Sequence, residues 1–275
     1  MRQYQIEKTH HRRSVIALKA LVNGRIMMPT KQIDNRVLLF DRQVLAISET
    51  IPDGCEIIDA KGRYVSPGLI DVHIHGYMGA DASDGTLAGL CTMAEGILKN
   101  GVTSFLPTTM TIPWEQLEQA FQTIRLFMQK SKQPGFQGAQ ALGCHAEGPF
   151  INPKRKGAQA ESAITEPEAK KLMPYMDIIR LLTVAPEMPG AFACIEQIKD
   201  KIRVSIGHTD ADYDTTVRAL EAGANHFTHT FNAMTGLNHR NPGVVGAALA
   251  SDAYCELIAD TFHVNKGMDQ LNSIK

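Results

Sequence analysis

What this sequence lacks excludes several kinds of protein. It has no Cys-x-x-Cys pair, and its five cysteines, Cys55, Cys91, Cys144, Cys194 and Cys255, are odd in number and widely spread. Such usage suits neither a disulfide framework nor a thiolate zinc site and fits a reducing, cytoplasmic setting. No apolar run is long enough to span a bilayer, so no membrane partner is expected. Residues Met1 to Arg13 are polar and basic and lack the apolar centre of a signal peptide; positions 1–13 read as a flexible arm. An excess of one charge is also missing. Lys plus Arg number 28 against 29 Asp plus Glu, so no bulk positive field exists to hold nucleic acid. An anionic ligand would need local groups.

Hydrophobic residues make up 44% and charged residues 21%, the balance of an ordinary globular chain. Residues 14–66 read as short strands forming the N-terminal part of a small β-sandwich domain. Asn23-Gly24, between two apolar stretches, predicts a hairpin turn, and Asp41-Arg42 a second tight turn. Met27-Met28 and the other methionines read as core filler.

Over residues 67–275 the rhythm changes. Seven β-rich runs end near His75, Thr109, Glu147, Pro186, His208, Phe231 and Asp260. Between them lie segments of helical spacing, including 87–99, 114–130, 166–176 and 214–222. Alternation of this kind means parallel strands with crossover helices. The fold class expected is α/β, a (β/α)8 TIM-like barrel, which gathers its functional residues at the C-terminal ends of its strands. A barrel needs eight strands, and 67–275 falls short of the ~250 residues typical of one. The barrel is therefore expected to lack its last βα unit.

The ten histidines carry the chemistry. His73, His75, His145, His208 and His229 fall at or near proposed strand ends. His73 and His75 are i and i+2 on a strand and point to one face. Glu147 ends the third run. Four imidazoles and a carboxylate at successive strand ends suit zinc, with iron, manganese or cobalt as alternatives, in one or two ions. A carboxylate between two such ions would bridge them, and the pKa of a bound water would fall toward neutrality. His145 lies one layer deeper than Glu147 and reads as a supporting histidine. His226 reads as structural, and His10 and His11 as solvated.

Two polar, glycine-rich segments lie where barrel loops belong: 152–159, with Lys154, Arg155 and Lys156, and 231–243, with Arg240. Cations beside exposed backbone amides are what a phosphate pocket requires. Lys154, Arg155 and Lys156 read first as a solvated charge run, and Arg240 is better placed for a phosphate.

Pro67-Gly68-Leu69-Ile70-Asp71-Val72-His73-Ile74-His75-Gly76 resembles the opening motif of the amidohydrolase superfamily. His145-Ala146-Glu147-Gly148-Pro149-Phe150, Gly207-His208-Thr209, Thr228-His229-Thr230-Phe231-Asn232-Ala233-Met234 and His239-Arg240-Asn241-Pro242-Gly243 together resemble the N-acetylglucosamine-6-phosphate deacetylase family. The resemblance runs from about residue 18 to the end. It implies hydrolysis of the acetamide of a phosphorylated amino sugar, in amino-sugar catabolism and cell-wall recycling, by a metal-bearing barrel beside a small β domain. Family metal positions fall on Glu147, His208 and His229. His73 and His75 place the chain with members that hold a second metal.

For substrate, the resemblance implies Ala158, Gln159, Asn232, Ala233, Arg240 and the segment Asp260-Thr261-Phe262-His263, where Thr261 replaces a family glycine. Asn232 and Ala233 match phosphate-binding amides. Arg240 matches an arginine that reaches the phosphate of a neighbouring subunit, which implies a homodimer. The family's catalytic aspartate lies on an eighth strand, beyond Lys275, so none of these residues takes that role. The chain reads as a C-terminally truncated deacetylase whose own activity is in question. Alternatives are an N-acetylgalactosamine-6-phosphate deacetylase, an inactive truncated amidohydrolase that only binds sugar phosphate or metal, or another amidohydrolase such as a dihydroorotase or aminoacylase. The last group would lack the Asn232–Arg240 segment.

Overall fold

A computed structural model describes residues 18–268. The arm read over 1–13, with His10 and His11, lies outside the described residues. The chain divides into two units, Met1–Pro67 and Gly68–Lys275.

The first unit holds β1 (Lys19–Val22), β2 (Arg25–Met27), β3 (Gln32–Ile33), β4 (Val37–Phe40), β5 (Val44–Ser48), β6 (Glu56–Asp59) and β7 (Tyr64–Val65). They form two sheets, in the orders β5-β4-β1-β6 and β3-β2-β7. Asp41-Arg42 does turn β4 back onto β5 as an antiparallel pair. The Asn23-Gly24 hairpin does not form: β1 pairs with β4 and β6, while β2 pairs with β3 and β7. Asn23 takes the left-handed conformation (φ 55°) that an Asn-Gly turn favours. Its partners, however, are distant in sequence. Its Nδ2 donates to Asp59 Oδ1 at 3.0 Å, and its carbonyl accepts from Gly62 N at 2.7 Å. The turn therefore carries the chain from one sheet to the other beside the parallel crossing from β6 to β7. Met27 and Met28 are exposed rather than core: Met27 shares the exposed side of β2 with Arg25, opposite buried Ile26, and Met28 follows the strand; Met93, Met128 and Met234 are buried.

The second unit is a partial (β/α)8 barrel. Its elements are β8 (Leu69–Ile74), β9 (Gly76–Tyr77), β10 (Ala80–Asp81), α1 (Leu87–Leu98), β11 (Val102–Thr109), α2 (Trp114–Ser131), β12 (Gln140–Ala141), β13 (Cys144–Glu147), α3 (Ala169–Leu172), β14 (Ile179–Val184), α4 (Ala191–Ile198), β15 (Arg203–Ile206), α5 (Tyr213–Ala222), β16 (His226–Phe227), α6 (Gly243–Ala250) and β17 (Tyr254–Cys255). Strands β8, β11, β13, β14, β15, β16 and β17 pair in that order, all parallel. Among the described residues the sheet stays open between β17 and β8, and Leu69, Ile70 and Tyr254 at those edges are exposed.

Local chemistry sets these elements. Thr86 caps α1 by accepting from Gly89 N, and Asp212 caps α5 by accepting from Thr215 N. In α2, Leu117, Ala120, Phe121, Ile124, Phe127 and Met128 recur at helical spacing and are buried on the sheet side. The third strand is interrupted at Leu142-Gly143, where a Cβ on Gly143 would lie 2.8 Å from Ile178 O. Only glycine admits that approach of β14. The helix read over 166–176 shortens to α3 followed by a 3-10 turn at Met173–Tyr175. Pro174 has no N–H to continue an α-helical ladder. Helices α4 and α6 were not among the predicted elements; α6 is apolar throughout and largely buried, so it shows no amphipathic period.

Candidate metal centre

Five side chains meet at the C-terminal ends of β8, β13, β15 and β16. The Glu147 carboxylate, 1% exposed, stands at their centre. Its Oε1 lies 3.2 Å from His73 Nε2, 3.2 Å from His208 Nε2 and 3.1 Å from His229 Nε2; its Oε2 lies 3.1 Å from His75 Nε2. His73 and His75 approach each other at 3.3 Å between Nε2 atoms, and His208 and His229 at 3.1 Å. The donors form two groups sharing one carboxylate: His73, His75 and Glu147, and Glu147, His208 and His229.

The outward-facing nitrogens fix the protonation of the rings. His75 Nδ1–H donates to Thr108 O at 3.1 Å, His208 Nδ1–H to Arg155 O at 2.8 Å, and His73 Nδ1–H to Glu256 Oε2 at 2.7 Å. Carbonyls and carboxylates only accept, so each Nδ1 carries a hydrogen; a ring with no second proton then turns its Nε2 lone pair inward, and a ring with one donates from Nε2 to Glu147. Lone pairs facing each other and a buried carboxylate at about 3 Å repel unless something positive lies between them. This donor set fits divalent cations. Protons compete for the same place. Burial opposes charge on His73, but Glu147 and Glu256 outweigh it and raise its pKa to about 10. Burial likewise opposes charge on Glu147, yet hydrogen bonds from His208, His229, His73 and His75 hold it well below the usual carboxylate range. Metal binding would therefore displace protons.

A further group, His73, His145 and Glu256, does not fit an ion. Both His145 nitrogens are engaged, with Val72 O at 3.1 Å and Thr183 Oγ1 at 2.8 Å. Burial and the charge of His73 lower its pKa to about 3, so it stays neutral beneath the cluster.

The backbone at the rim is bent to suit. His208, His229, Phe231 and Ala233 all have positive φ (47°, 31°, 82° and 50°), a region that costs non-glycine residues about 1–3 kcal/mol each. His229 is held there by its amide, which donates to Glu256 Oε2 at 3.2 Å, and by its carbonyl, which accepts from Asn232 N at 3.0 Å. Glu187 ties neighbouring loops together, accepting from Asn152 Nδ2, Asp210 N and Thr209 Oγ1.

The cluster opens into a cleft of about 1140 Å3. Of the residues implied for substrate, Ala158, Gln159, Asn232, Ala233 and His263 line it; Arg240, Asp260, Thr261 and Phe262 do not. Gln159 is buried, donates its Nε2 to Glu147 Oε2 and accepts Thr111 N at Oε1. Its amide is thus spent on the carboxylate. Lys154 and Arg155 are neither free nor merely solvated: both pair with Asp210. Asp260 Oδ2 accepts from His263 Nδ1 at 2.6 Å, which leaves the opposite nitrogen, Nε2, for another partner.

Sequence reasoning missed Glu256 and Glu187. The available signal for Glu256 was one acid in the apolar run Cys255-Glu256-Leu257-Ile258-Ala259, since a carboxylate buried there needs a partner.

The amidohydrolase family matches residues 64–274. The N-acetylglucosamine-6-phosphate deacetylase of Bacillus subtilis (strain 168) is 41% identical over 203 residues, 72% of this chain and 51% of that protein. The N-acetylgalactosamine-6-phosphate deacetylase of Escherichia coli O157:H7 is 35% identical over 247 residues, 88% of this chain and 64% of that protein. The crystal structure of N-acetylglucosamine-6-phosphate deacetylase from Pasteurella multocida superposes with a TM-score of 0.86 at 35% identity, over 94% of this chain and 68% of that one. The chain thus spans about half to two thirds of the length of the curated relatives it matches. With this fold, this donor set and a match over most of its length, the chain belongs to the amidohydrolase family.

Proposed function

We propose that this chain carries the metal centre of an N-acetylglucosamine-6-phosphate deacetylase, which releases acetate and glucosamine 6-phosphate. The carrying observation is the Glu147 carboxylate shared by His73 and His75 on one side and His208 and His229 on the other. These five residues would hold zinc, in two ions. Zinc there supplies Lewis acidity toward the acetamide carbonyl and lowers the pKa of water.

The remaining work falls to the chain. Glu147 is kept ionised by its four imidazoles and oriented by Gln159. His75 and His208 keep their Nε2 atoms inward through Thr108 O and Arg155 O. Ala233 lines the cleft, and its amide has no hydrogen bond among the described residues, which suits it to a phosphate oxygen. The Asn232 amide is already used by His229 O, so its side chain is the better candidate. Because Asp260 engages His263, that imidazole presents one nitrogen to substrate. Arg240 is exposed and outside its own cleft. This supports the reading in which it reaches phosphate bound by a second copy, in a homodimer. Five free cysteines suit a cytoplasmic enzyme, and no described helix is long and apolar enough to cross a membrane.

Acetate release from N-acetylglucosamine 6-phosphate by the chain extended through the eighth strand, lost on chelation and regained with zinc, is the expected result. Undiminished release by metal-free protein would overturn the scheme. The Escherichia coli relative acts, by its name, on the galactosamine isomer. Side-by-side rates on the two sugars decide between them.

A further inference from the structure

We propose that Glu256 is a positioning residue of the metal centre: it fixes the His73 ring and the His229 backbone from one carboxylate oxygen, and so couples the two ligand groups. The inference rests on the metal-centre reading above.

Glu256 follows β17 and is locked at its own backbone. Its N–H donates to Phe227 O at 2.9 Å, and its carbonyl accepts from Thr230 N at 2.8 Å. Its side chain is 9% exposed, far too buried for an unpaired charge. Oε2 accepts from His73 Nδ1 at 2.7 Å and from the His229 amide at 3.2 Å. Oε1 lies 3.3 Å from His226 Nε2. One oxygen thus touches a residue from each group around Glu147, on β8 and on the turn after β16.

The three rings with an assigned outer partner show what is particular about this one. His75 and His208 give their Nδ1–H to backbone carbonyls of their surroundings; His73 alone gives it to a carboxylate. An ionised acceptor makes the stronger bond and increases electron density at the opposite nitrogen. It also enforces the tautomer whose Nε2 lone pair faces Glu147. His229 Nδ1, in contrast, has no hydrogen-bond partner among the described residues. Its ring is placed through its backbone, whose left-handed turn depends on the same Glu256 oxygen. The Glu256 carboxylate therefore does for His73 by direct contact what it does for His229 through the main chain.

The test is zinc titration, by competition with a chromogenic chelator, of the wild-type chain, His75→Ala, Glu256→Gln and Glu256→Leu. Glu256→Gln keeps volume and one acceptor but removes the charge. We expect it to weaken the zinc that His75→Ala eliminates by about 10–100-fold, with Glu256→Leu weaker still. Circular dichroism of metal-free Glu256→Gln should match wild type and its thermal unfolding should stay cooperative, with the binding measured well below its midpoint, so that a loss of fold is not mistaken for a loss of positioning. The visible spectrum of the cobalt-substituted Glu256→Gln chain should shift as the His73 bond changes. A wild-type chain that binds no zinc refutes the metal-centre reading itself. A wild-type chain that binds zinc, beside a Glu256→Gln chain of equal affinity and unchanged cobalt spectrum, overturns the role of Glu256 alone. Zinc binding that His75→Ala leaves untouched overturns it too, because His73 and His75 then hold no ion to be positioned.

Discussion

Glu147 Oε1 and His229 Nε2 lie 3.1 Å apart although 82 residues separate them in the chain. Closing a loop of that length in unfolded chain is costly in entropy, and the contact exists because parallel strands β13 to β16 carry both residues to one rim. A cation held there ties those strands to each other. Zinc should therefore stabilise the protein by mass action, by about 2.7 kcal/mol at a free concentration a hundred times the dissociation constant. Thermal unfolding with and without chelator should show a matching rise in midpoint, and His229→Ala should lose most of it. An unchanged midpoint in wild type would speak against a bound ion.

Gln159 joins Thr111 N to the Glu147 carboxylate. Gln159→Leu leaves a buried N–H and a buried carboxylate oxygen without that partner, at a cost of about 1–3 kcal/mol. Urea unfolding of the metal-free protein reads this directly. A change below the error of the extrapolation would mean that water replaces the amide.

The helix α2 is held by its buried face. Phe121 is fully buried, and its ring centroid lies 4.9 Å from that of Tyr175. Phe121→Ala should cost about 3–5 kcal/mol, because transfer and cavity contributions add in a site that cannot collapse. A loss below about 1 kcal/mol, by the same unfolding measurement, would show that the α2 packing is looser than described.

Arg125 and Asp177 pair at 2.6 and 2.8 Å. The bond to Arg125 lowers the Asp177 pKa below its ordinary value. A carboxyl lowered on folding stabilises above its unfolded pKa and loses that contribution as pH falls through its folded pKa. Since the Asp177 side chain is 57% exposed, the effect is discounted to about 0–1 kcal/mol. Asp177→Asn should be slightly less stable than wild type at neutral pH, and the gap should close in acid. A gap that widens in acid contradicts the assignment.

Much of this architecture was legible because barrel strands and their terminal ligands have a local signature. The run Leu69-Ile70-Asp71-Val72-His73-Ile74-His75 is apolar, β-rich and ends in i, i+2 imidazoles, and β8 does end at Ile74. The seven runs correspond to the seven parallel strands. What stayed hidden depends on distant partners. Asn23-Gly24 specifies a left-handed turn but not which strand follows it, and Asp59 and Gly62 decide that. Glu256 meets His73 across 183 residues, through the curl that brings β17 toward β8. The bond from Gln159 to Glu147 is equally hidden, since nothing near Gln159 in sequence shows that Glu147 takes its amide.

The most direct measurement is anomalous scattering at the zinc absorption edge from crystals of the zinc-loaded chain. The account predicts peaks about 2.0–2.2 Å from ligand atoms of Glu147 and the histidine pairs, one toward His208 and His229 and one toward His73 and His75. A cleft without any anomalous peak, or zinc bound only at sites remote from Glu147, would contradict it.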